Sequence, residues 1–189
     1  MRRSQPDKSL QTMWRPLEPR HSSEIAALFY SVFSESADED EGILVSRLAT
    51  DLVICTGSND VYGFAAVDEN QMLGAILFSR LSFDEPFNAF ILSPVAVRSA
   101  NQRSGVGQAL ITHGLREMTS QGVSYVVTYG DPSFYSKVGF HPLSTEVIQP
   151  PYKLSQPEGW LGQSLGGGPL EVKYGRASCV TALDDPAYW

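Results

Sequence analysis

The sequence is short of cysteine and of long apolar runs. It contains two cysteines, Cys55 and Cys179, which are far apart and show no CxxC spacing, and this argues against a disulfide framework or a zinc site. No apolar stretch approaches the roughly 18 residues of a membrane-spanning helix. Residues 1–12 are charged and polar, unlike a secretory signal. We therefore expect a cytoplasmic protein with reduced thiols and no membrane segment.

Positive charge and histidine are scarce as well. The 189 residues include 14 lysines and arginines against 21 aspartates and glutamates, a net charge of −7, and three histidines. Long-range attraction to nucleic acid is therefore not expected. Because no two histidines have the spacing of metal ligands, no metal site is predicted. Much of the negative charge lies in residues 35–41, which we interpret as a solvated loop or a helix start.

The length suits one domain with a sizeable core. We predict a flexible tail over residues 1–12 and a single domain over residues 13–189. Hydrophobic periodicity predicts an α/β fold, a mixed sheet with helices on both faces. His113 lies outside the apolar face of the helix predicted over residues 107–121 and is therefore predicted to face solvent. The predicted helices cover residues 25–33, 42–52 and 107–121, and the predicted strands cover residues 14–17, 61–67, 73–81, 89–97, 124–129 and 170–183, with Gly175 as the candidate position for a break in the last strand.

The most informative segment runs over residues 92–111, where an apolar strand leads through a polar turn into a helix that begins with glycines. Pro94 cannot donate to a sheet ladder, so we expect the strand to bulge or to part from a neighbour there. Gly105 and Gly107 leave the first backbone N–H groups of the helix free to close around an anion. A Walker loop is a poor alternative because no Lys-Ser or Lys-Thr follows, and a dinucleotide fingerprint would need glycine at Leu110. The segment therefore predicts a phosphate-binding turn.

Two segments carry a resemblance to a known family. Gln102-x-x-Gly105-x-Gly107 resembles the pyrophosphate-binding turn of the GNAT superfamily, the acetyl-CoA-dependent N-acetyltransferases. Residues 129–142, with the sequence YGDPSFYSKVGFHP, are similar to the GDPxYYxxFGF stretch of the YhbS-like branch of that superfamily. The sequence departs from the pattern at Arg98 and Ser99, where many members have a proline after the strand.

The resemblance implies a largely antiparallel mixed sheet that is splayed in the middle. Acetyl-CoA, the expected cosubstrate, would lie between the strand ending at Val97 and the strand ending at Tyr129. Main-chain groups of the first strand would bond the pantetheine arm, although these residues also suit a purely structural core role. The cofactor-binding residues implied are Val95, Ala96 and Val97 for that arm, and Gln102, Arg103, Ser104, Gly105, Val106 and Gly107 for the pyrophosphate.

The short helix predicted after Asp131 holds the candidate for catalysis. Tyr135 matches the family tyrosine beside the cofactor sulfur, and a phenol of pKa near 10 can protonate a departing thiolate. The alternative is that Tyr135 packs as a core aromatic. Asp131 and Ser133 are candidates for contact with the pantetheine arm, and helix capping explains Asp131 equally well. Neither cysteine lies near the two motifs, which favours direct attack through a tetrahedral intermediate over an acetyl-cysteine route.

The resemblance predicts an N-acetyltransferase acting on a primary amine of a small molecule or peptide. The alternative is a non-catalytic acyl-CoA sensor or regulatory subunit, and a toxin acting on aminoacyl-tRNA fits the acidic composition poorly. A second copy of the same chain, forming a homodimer, is the other candidate partner. No general base stands out among four candidate residues. The acceptor amine is expected to bind against residues 22–52 and 143–168. The base candidates are Glu24, Asp84, Glu85 and Ser93, and the acceptor candidates are Phe33, Glu35, Tyr152 and Trp160.

Overall fold

The computed structural model describes residues 12–167 and 174–189, so the predicted tail lies outside the described residues except for Thr12. The helices are α1 (Ser22–Ser36), α2 (Glu39–Cys55), α3 (Val106–Ser120) and α4 (Pro132–Tyr135). The strands are β1 (Met13–Pro16), β2 (Val61–Asp68), β3 (Gln71–Ser82), β4 (Ala89–Val97), β5 (Tyr125–Tyr129), β6 (His141–Pro142), β7 (Ile148–Gln149), β8 (Trp160–Ser164), β9 (Gly175–Arg176) and β10 (Ser178–Cys179).

The main sheet is mixed and largely antiparallel, as predicted. Its strand order is β1-β2-β3-β4-β5-β8-β6, and β10 pairs with the end of β3. Within this sheet β4 and β5 run parallel, whereas the other pairs formed by the described strands are antiparallel. A separate two-stranded sheet joins β7 and β9. The parallel pair is the part of the sheet that holds the candidate site.

Helices cover both faces of the sheet, which confirms the predicted layers. On one face α1 and α2 bury Phe29 and Leu52 in a core shared with Leu77 of β3. On the other face α3 buries Leu110 in a core shared with Phe78 of β3. The alternation of side chains along β3 therefore feeds both cores. Of the helices formed by residues 12–167 and 174–189, none is both long and apolar enough to cross a membrane.

The acidic run forms the junction of the first two helices. Asp38 is the N-cap of α2 and accepts a hydrogen bond from the backbone N–H of Glu41, at 2.9 Å. Glu39, Asp40 and Glu41 fill the first turn of α2, where negative charge is favourable next to the helix dipole. The predicted helix start is therefore confirmed, and α2 begins three residues before the glycine at which the apolar pattern starts.

Two predictions of local structure are wrong. The predicted last strand lies partly outside the described residues, and its described part is broken into β9, β10 and a 3-10 turn at Thr181–Leu183. His113 is half-buried rather than exposed, because its ring stacks on Trp14 with centroids 5.1 Å apart and meets the edge of Phe64. Both outcomes depend on long-range contacts, which the local pattern does not contain.

Gly114 sets how closely α3 approaches the sheet. A Cβ at this position would lie 2.7 Å from atoms of both Ile76 and Phe78, which are fully buried. We expect Gly114→Val to lower the free energy of unfolding by about 1–3 kcal/mol, because the helix must move away from β3. Urea unfolding followed by circular dichroism measures the change. Arg116→Ala, on the exposed side of the same helix, serves as control, and equal stability of the two variants would contradict the close approach.

Candidate functional site

The site begins where β4 and β5 part. The two strands pair from Ala89 opposite Tyr125 to Leu92 opposite Thr128, and the described pairing ends there. The buried Thr128 hydroxyl donates to the Leu92 carbonyl at 2.9 Å and reinforces this last rung. Beyond it, the register between β3 and β4 shifts around Pro94. The bulge predicted at Pro94 is confirmed, and the sheet is splayed on its carboxyl side.

The backbone of β4 beyond the bulge presents alternate residues to the opening. The N–H of Arg98 donates to the Leu73 carbonyl of β3 at 2.8 Å. Because peptide groups alternate along a strand, the main chain of Ala96 also faces β3, and that of Val95 and Val97 faces the side from which β5 has departed. The main chains of Val95 and Val97 thus face the opening, whereas that of Ala96 faces β3.

The turn between β4 and α3 has an unusual backbone. Gly105, the N-cap of α3, has a φ of +87°, and Arg103 has a φ of +61°. The turn is held by its own side chains, since Gln102 Nε2 donates to the Val97 carbonyl at 3.0 Å and Ser104 Oγ to the Asn101 carbonyl at 2.6 Å. Among the residues that the structure describes, none accepts a hydrogen bond from the N–H groups of residues 103–108. Such a run of convergent N–H groups at a helix start is suited to binding an anion.

Arg98 and Ser99, which stand where many members of the family have a proline, connect this turn to other parts of the fold by hydrogen bonds. Arg98 Nε donates to the Met72 carbonyl at 2.6 Å, and Ser99 Oγ donates to the carboxylate of Glu35 at the end of α1. Ser31 Oγ donates to the same carboxylate at 2.8 Å. These hydrogen bonds, that of Ser99 above all, hold the pKa of Glu35 below its usual value. The structure therefore ties Glu35, predicted for the acceptor region, to the turn.

The first turn of α4 is capped from within. Asp131 accepts hydrogen bonds from both the backbone N–H and the hydroxyl of Ser133, each at 2.8 Å. The hydroxyl and the N–H of Ser133 hold the pKa of the Asp131 carboxyl below its usual value. The two residues thus satisfy each other, which is the capping alternative weighed for Asp131.

Tyr135 lies at the end of α4, buried between two aromatic rings. Its ring meets those of Phe134 and Phe140 edge-on, at 5.1 and 5.7 Å between centroids. Gly130 makes room for it, because a Cβ there would lie 2.7 Å from the tyrosine ring. Burial raises the pKa of the Tyr135 phenol, and the Thr128 hydroxyl beside it acts in the opposite direction. The phenol is thus a protonated group at neutral pH, although its ring is part of the core.

A cavity of about 290 Å³ lies where β4 and β5 part. Tyr135 lines it together with Ser93, Pro94 and Val95 of the bulge. Of the candidate bases only Ser93 belongs to its described lining, whereas Asp84 and Glu85 lie in the loop before β4. The remaining wall comes from the ends of α1 and β5, from α2 and from the last residues of the chain, and includes Phe33, Glu41, Leu44, Tyr129, Asp131 and Tyr188.

Glu24, the fourth candidate base, is occupied elsewhere. Its carboxylate pairs with Arg15 of the edge strand β1 at 2.6 Å. In the sheet order β1 is three strands removed from β4, roughly 14 Å at the usual strand spacing. The pair therefore stabilises the start of α1 against the sheet edge, and Glu24 is not among the described residues of the cavity wall.

The cysteines lie away from the cavity. Cys55 is the exposed last residue of α2, and Cys179 is on β10, where burial raises the pKa of its thiol to about 11. Neither belongs to the described cavity wall. Over residues 12–167 and 174–189, no three histidine, cysteine, aspartate or glutamate side chains are grouped so that they could hold a metal ion.

Comparison with known proteins identifies the family of the chain. The family model of the acetyltransferase (GNAT) domain matches residues 14–143. The chain belongs to the GNAT acetyltransferases. The uncharacterized N-acetyltransferase YjhQ of Escherichia coli strain K12 is 31% identical over 147 residues, an alignment covering 74% of this chain and 76% of YjhQ.

Solved GNAT structures share the fold. The crystal structure of YhbS from Escherichia coli in complex with CoA has a TM-score of 0.81 at 22% identity, covering 96% of this chain and 97% of that one. A GNAT acetyltransferase from Brucella melitensis in complex with acetyl-CoA has a TM-score of 0.68 at 24% identity, covering 93% of this chain and 99% of that one. At these identities the likeness concerns the GNAT fold.

On the acceptor side of this GNAT fold the structure changes the set of candidates. Of those predicted, Phe33 lines the cavity, whereas Trp160 is buried and its indole N–H donates to the Ile148 carbonyl. Tyr152 donates to Asp184 outside the described wall. Sequence reasoning missed Glu41 and Tyr188. No local sequence signal marks either residue. The position of Glu41 depends on the crossing of α1 and α2, and that of Tyr188 depends on the path of the chain after β10.

Proposed function

We propose that this GNAT protein is an N-acetyltransferase that moves the acetyl group of acetyl-CoA to a primary amine of a small molecule or peptide. The observation that carries the proposal is the combination of unpaired N–H groups at the start of α3 with a phenol, Tyr135, in the cavity where β4 and β5 part. The neighbouring structures that contain CoA and acetyl-CoA support it.

The residues at the opening suit acetyl-CoA. The N–H groups of residues 103–107, aided by the dipole of α3, would receive the pyrophosphate, and Arg103 would add a positive charge. Gln102 closes the turn by its bond to Val97. The main chains of Val95 and Val97 would pair with the amides of the pantetheine arm. At Gly107 a Cβ would come within 3.3 Å of Val97 and 3.4 Å of Phe134, so glycine lets the start of α3 pack closely against β4 and α4. Asp131 and Ser133 stay predictions for the arm, as does Val106 for the pyrophosphate, whereas Ala96, whose main chain faces β3, is not assigned to the arm.

The proposed acetyl transfer proceeds in three steps. The neutral amine attacks the thioester carbonyl, a tetrahedral intermediate forms, and the carbon–sulfur bond breaks as the amide is completed. Tyr135 donates its proton to the departing thiolate, and the proton of the amine leaves to water. Because burial keeps the phenol protonated, its donating form is the resting form. Cytoplasmic location, a single domain over residues 13–189 and self-association stay predictions from the sequence.

Two measurements test the proposal together. Calorimetry with acetyl-CoA is expected to show association, and incubation with acetyl-CoA and a panel of amines is expected to release free thiol in proportion to the amine added. Association without thiol release from any amine would favour the sensor alternative. Absence of association would overturn the proposal, because the N–H groups at the start of α3 would then have no ligand of this class.

A further inference from the structure

The charged side chains in the described wall of the cavity beside Tyr135 are all acidic. Its described wall contains two carboxylates, Glu41 and Asp131, and no lysine, arginine or histidine. Both oxygens of Asp131 are engaged by Ser133. The side chain of Glu41 is half-buried, and within the described parts of the chain its carboxylate has no hydrogen bond or ion pair. Glu41 is therefore the carboxylate of the described wall that has no partner among the described residues, beside the equally charged but hydrogen-bonded Asp131.

The backbone holds Glu41 in this position. The next residue, Gly42, is buried where α2 crosses α1, and a Cβ there would lie 3.0 Å from the Ser34 Cβ and the Tyr30 carbonyl. On the other side, the N–H of Glu41 is bound to the Asp38 side chain. Glu41 thus stands on a fixed helix turn, and Phe33 and Tyr188 belong to the same cavity wall. Aromatic faces and a carboxylate together favour a cation.

We propose that the acceptor is a diamine or polyamine, and that Glu41 binds the ammonium group that does not react. This inference rests on the proposed function. The reacting nitrogen must lose its proton to attack, and a carboxylate beside it would favour the protonated form instead. Glu41 therefore suits a second nitrogen. A cavity of about 290 Å³ that also receives the thioester end of acetyl-CoA favours a short chain between the two nitrogens.

Three amines of equal chain length separate charge from size. Diaminobutane ends in an ammonium, butylamine in a methyl and aminobutyrate in a carboxylate. At saturating acetyl-CoA, we expect kcat/KM for diaminobutane to exceed that for butylamine by about tenfold, mainly through KM, and aminobutyrate to be the poorest of the three. Equal kcat/KM for diaminobutane and butylamine would overturn the inference.

Variants of α2 assign the preference to one residue. Glu41→Gln is expected to lower kcat/KM for diaminobutane about tenfold and so to abolish its advantage over butylamine. Glu41→Lys is expected to move the preference to aminobutyrate. Asp40→Asn, an equal loss of charge from the same helix turn at an exposed residue, is expected to keep the wild-type ranking. An equal fall of kcat for all three amines in Glu41→Gln would make Glu41 a proton-transfer group and would contradict the binding role.

A binding measurement separates this inference from the proposed function. Calorimetry of diaminobutane against the protein–CoA complex is expected to show association that Glu41→Gln weakens about tenfold and Asp40→Asn does not. If that pattern appears without thiol release, Glu41 binds a diamine as inferred, but the catalytic proposal fails and the diamine is a ligand rather than an acceptor. If thiol is released with other amines while diaminobutane neither binds nor reacts, the catalytic proposal stands and the acceptor inference fails.

Discussion

Replacing Tyr135 with phenylalanine is expected to lower kcat by about 10²–10⁴-fold and to leave the Kd for acetyl-CoA within about twofold. The substitution removes the phenolic hydroxyl and keeps the ring that packs against Phe134 and Phe140. Without a donor, the thiolate has to leave unprotonated or take its proton from water. Single-turnover release of free thiol measures the chemical step, and calorimetry measures the affinity.

Tyr62→Phe is the matched control, because this half-buried tyrosine packs on Phe90 outside the described wall of the cavity. It is expected to change kcat by less than about twofold. A Tyr135→Phe variant as active as the control would reduce Tyr135 to the core aromatic that its burial also permits. A variant that loses acetyl-CoA affinity together with activity would instead indicate a collapsed cavity.

The pH dependence expected of the wild type and of Tyr135→Phe follows from the direction in which burial shifts the pKa of Tyr135. Burial raises the pKa of Tyr135 above its ordinary value of about 10, so the phenol carries its proton at every lower pH. Wild-type kcat should therefore show no loss from this group until the pH exceeds 10. A group whose pKa is raised by folding stabilises the fold below its unfolded pKa and loses that contribution as pH rises through its folded pKa. Wild-type stability should accordingly fall more than that of Tyr135→Phe above pH 10.

The parts of the site that could be predicted from the sequence are those that depend on short stretches of chain. Pro94 marks a bulge because proline cannot donate to the ladder, and Asp131 before Pro132 marks a helix start because the carboxylate caps the next N–H groups. Gly105 adopts a positive φ that few other residues tolerate. Each of these signals acts within a few residues, so the pattern and the structure agree.

The parts that could not be predicted depend on contacts between distant segments. Glu35 binds Ser99, which is 64 residues away, and this contact exists only because α1 ends beside the turn. Strand β8 contains Gly162, whose missing side chain makes room for the Tyr125 ring of β5. A glycine in a short run lowers the strand signal locally, while the neighbouring strand requires it. For this reason the acceptor side, built from helix crossings and the returning chain, was the least predictable.

Placing a carboxylate at the start of α3 is expected to weaken acetyl-CoA binding more than any other single change. Gly105→Asp should raise the Kd for acetyl-CoA by about 100-fold or more, because the new charge faces the pyrophosphate and repels it. The new side chain would meet no neighbour, since a Cβ at Gly105 would contact nothing within 4 Å, although the φ of +87° makes any substitution there strained. Aspartate also accepts positive φ better than most residues and is favourable at an N-cap.

Gly105→Asn separates the charge from the shape. Asparagine has the same size, the same tolerance of positive φ and the same capping ability, so the difference in Kd between the two variants measures the repulsion alone. Rising ionic strength should narrow that difference, because exposed charges are screened. The acetyl thioester of pantetheine, which lacks the pyrophosphate, should distinguish the variants little. Equal affinity of both variants for acetyl-CoA would mean that the N–H groups of residues 103–107 do not bind its pyrophosphate, and the assignment of the turn would then be wrong even if the cavity around Tyr135 were catalytic.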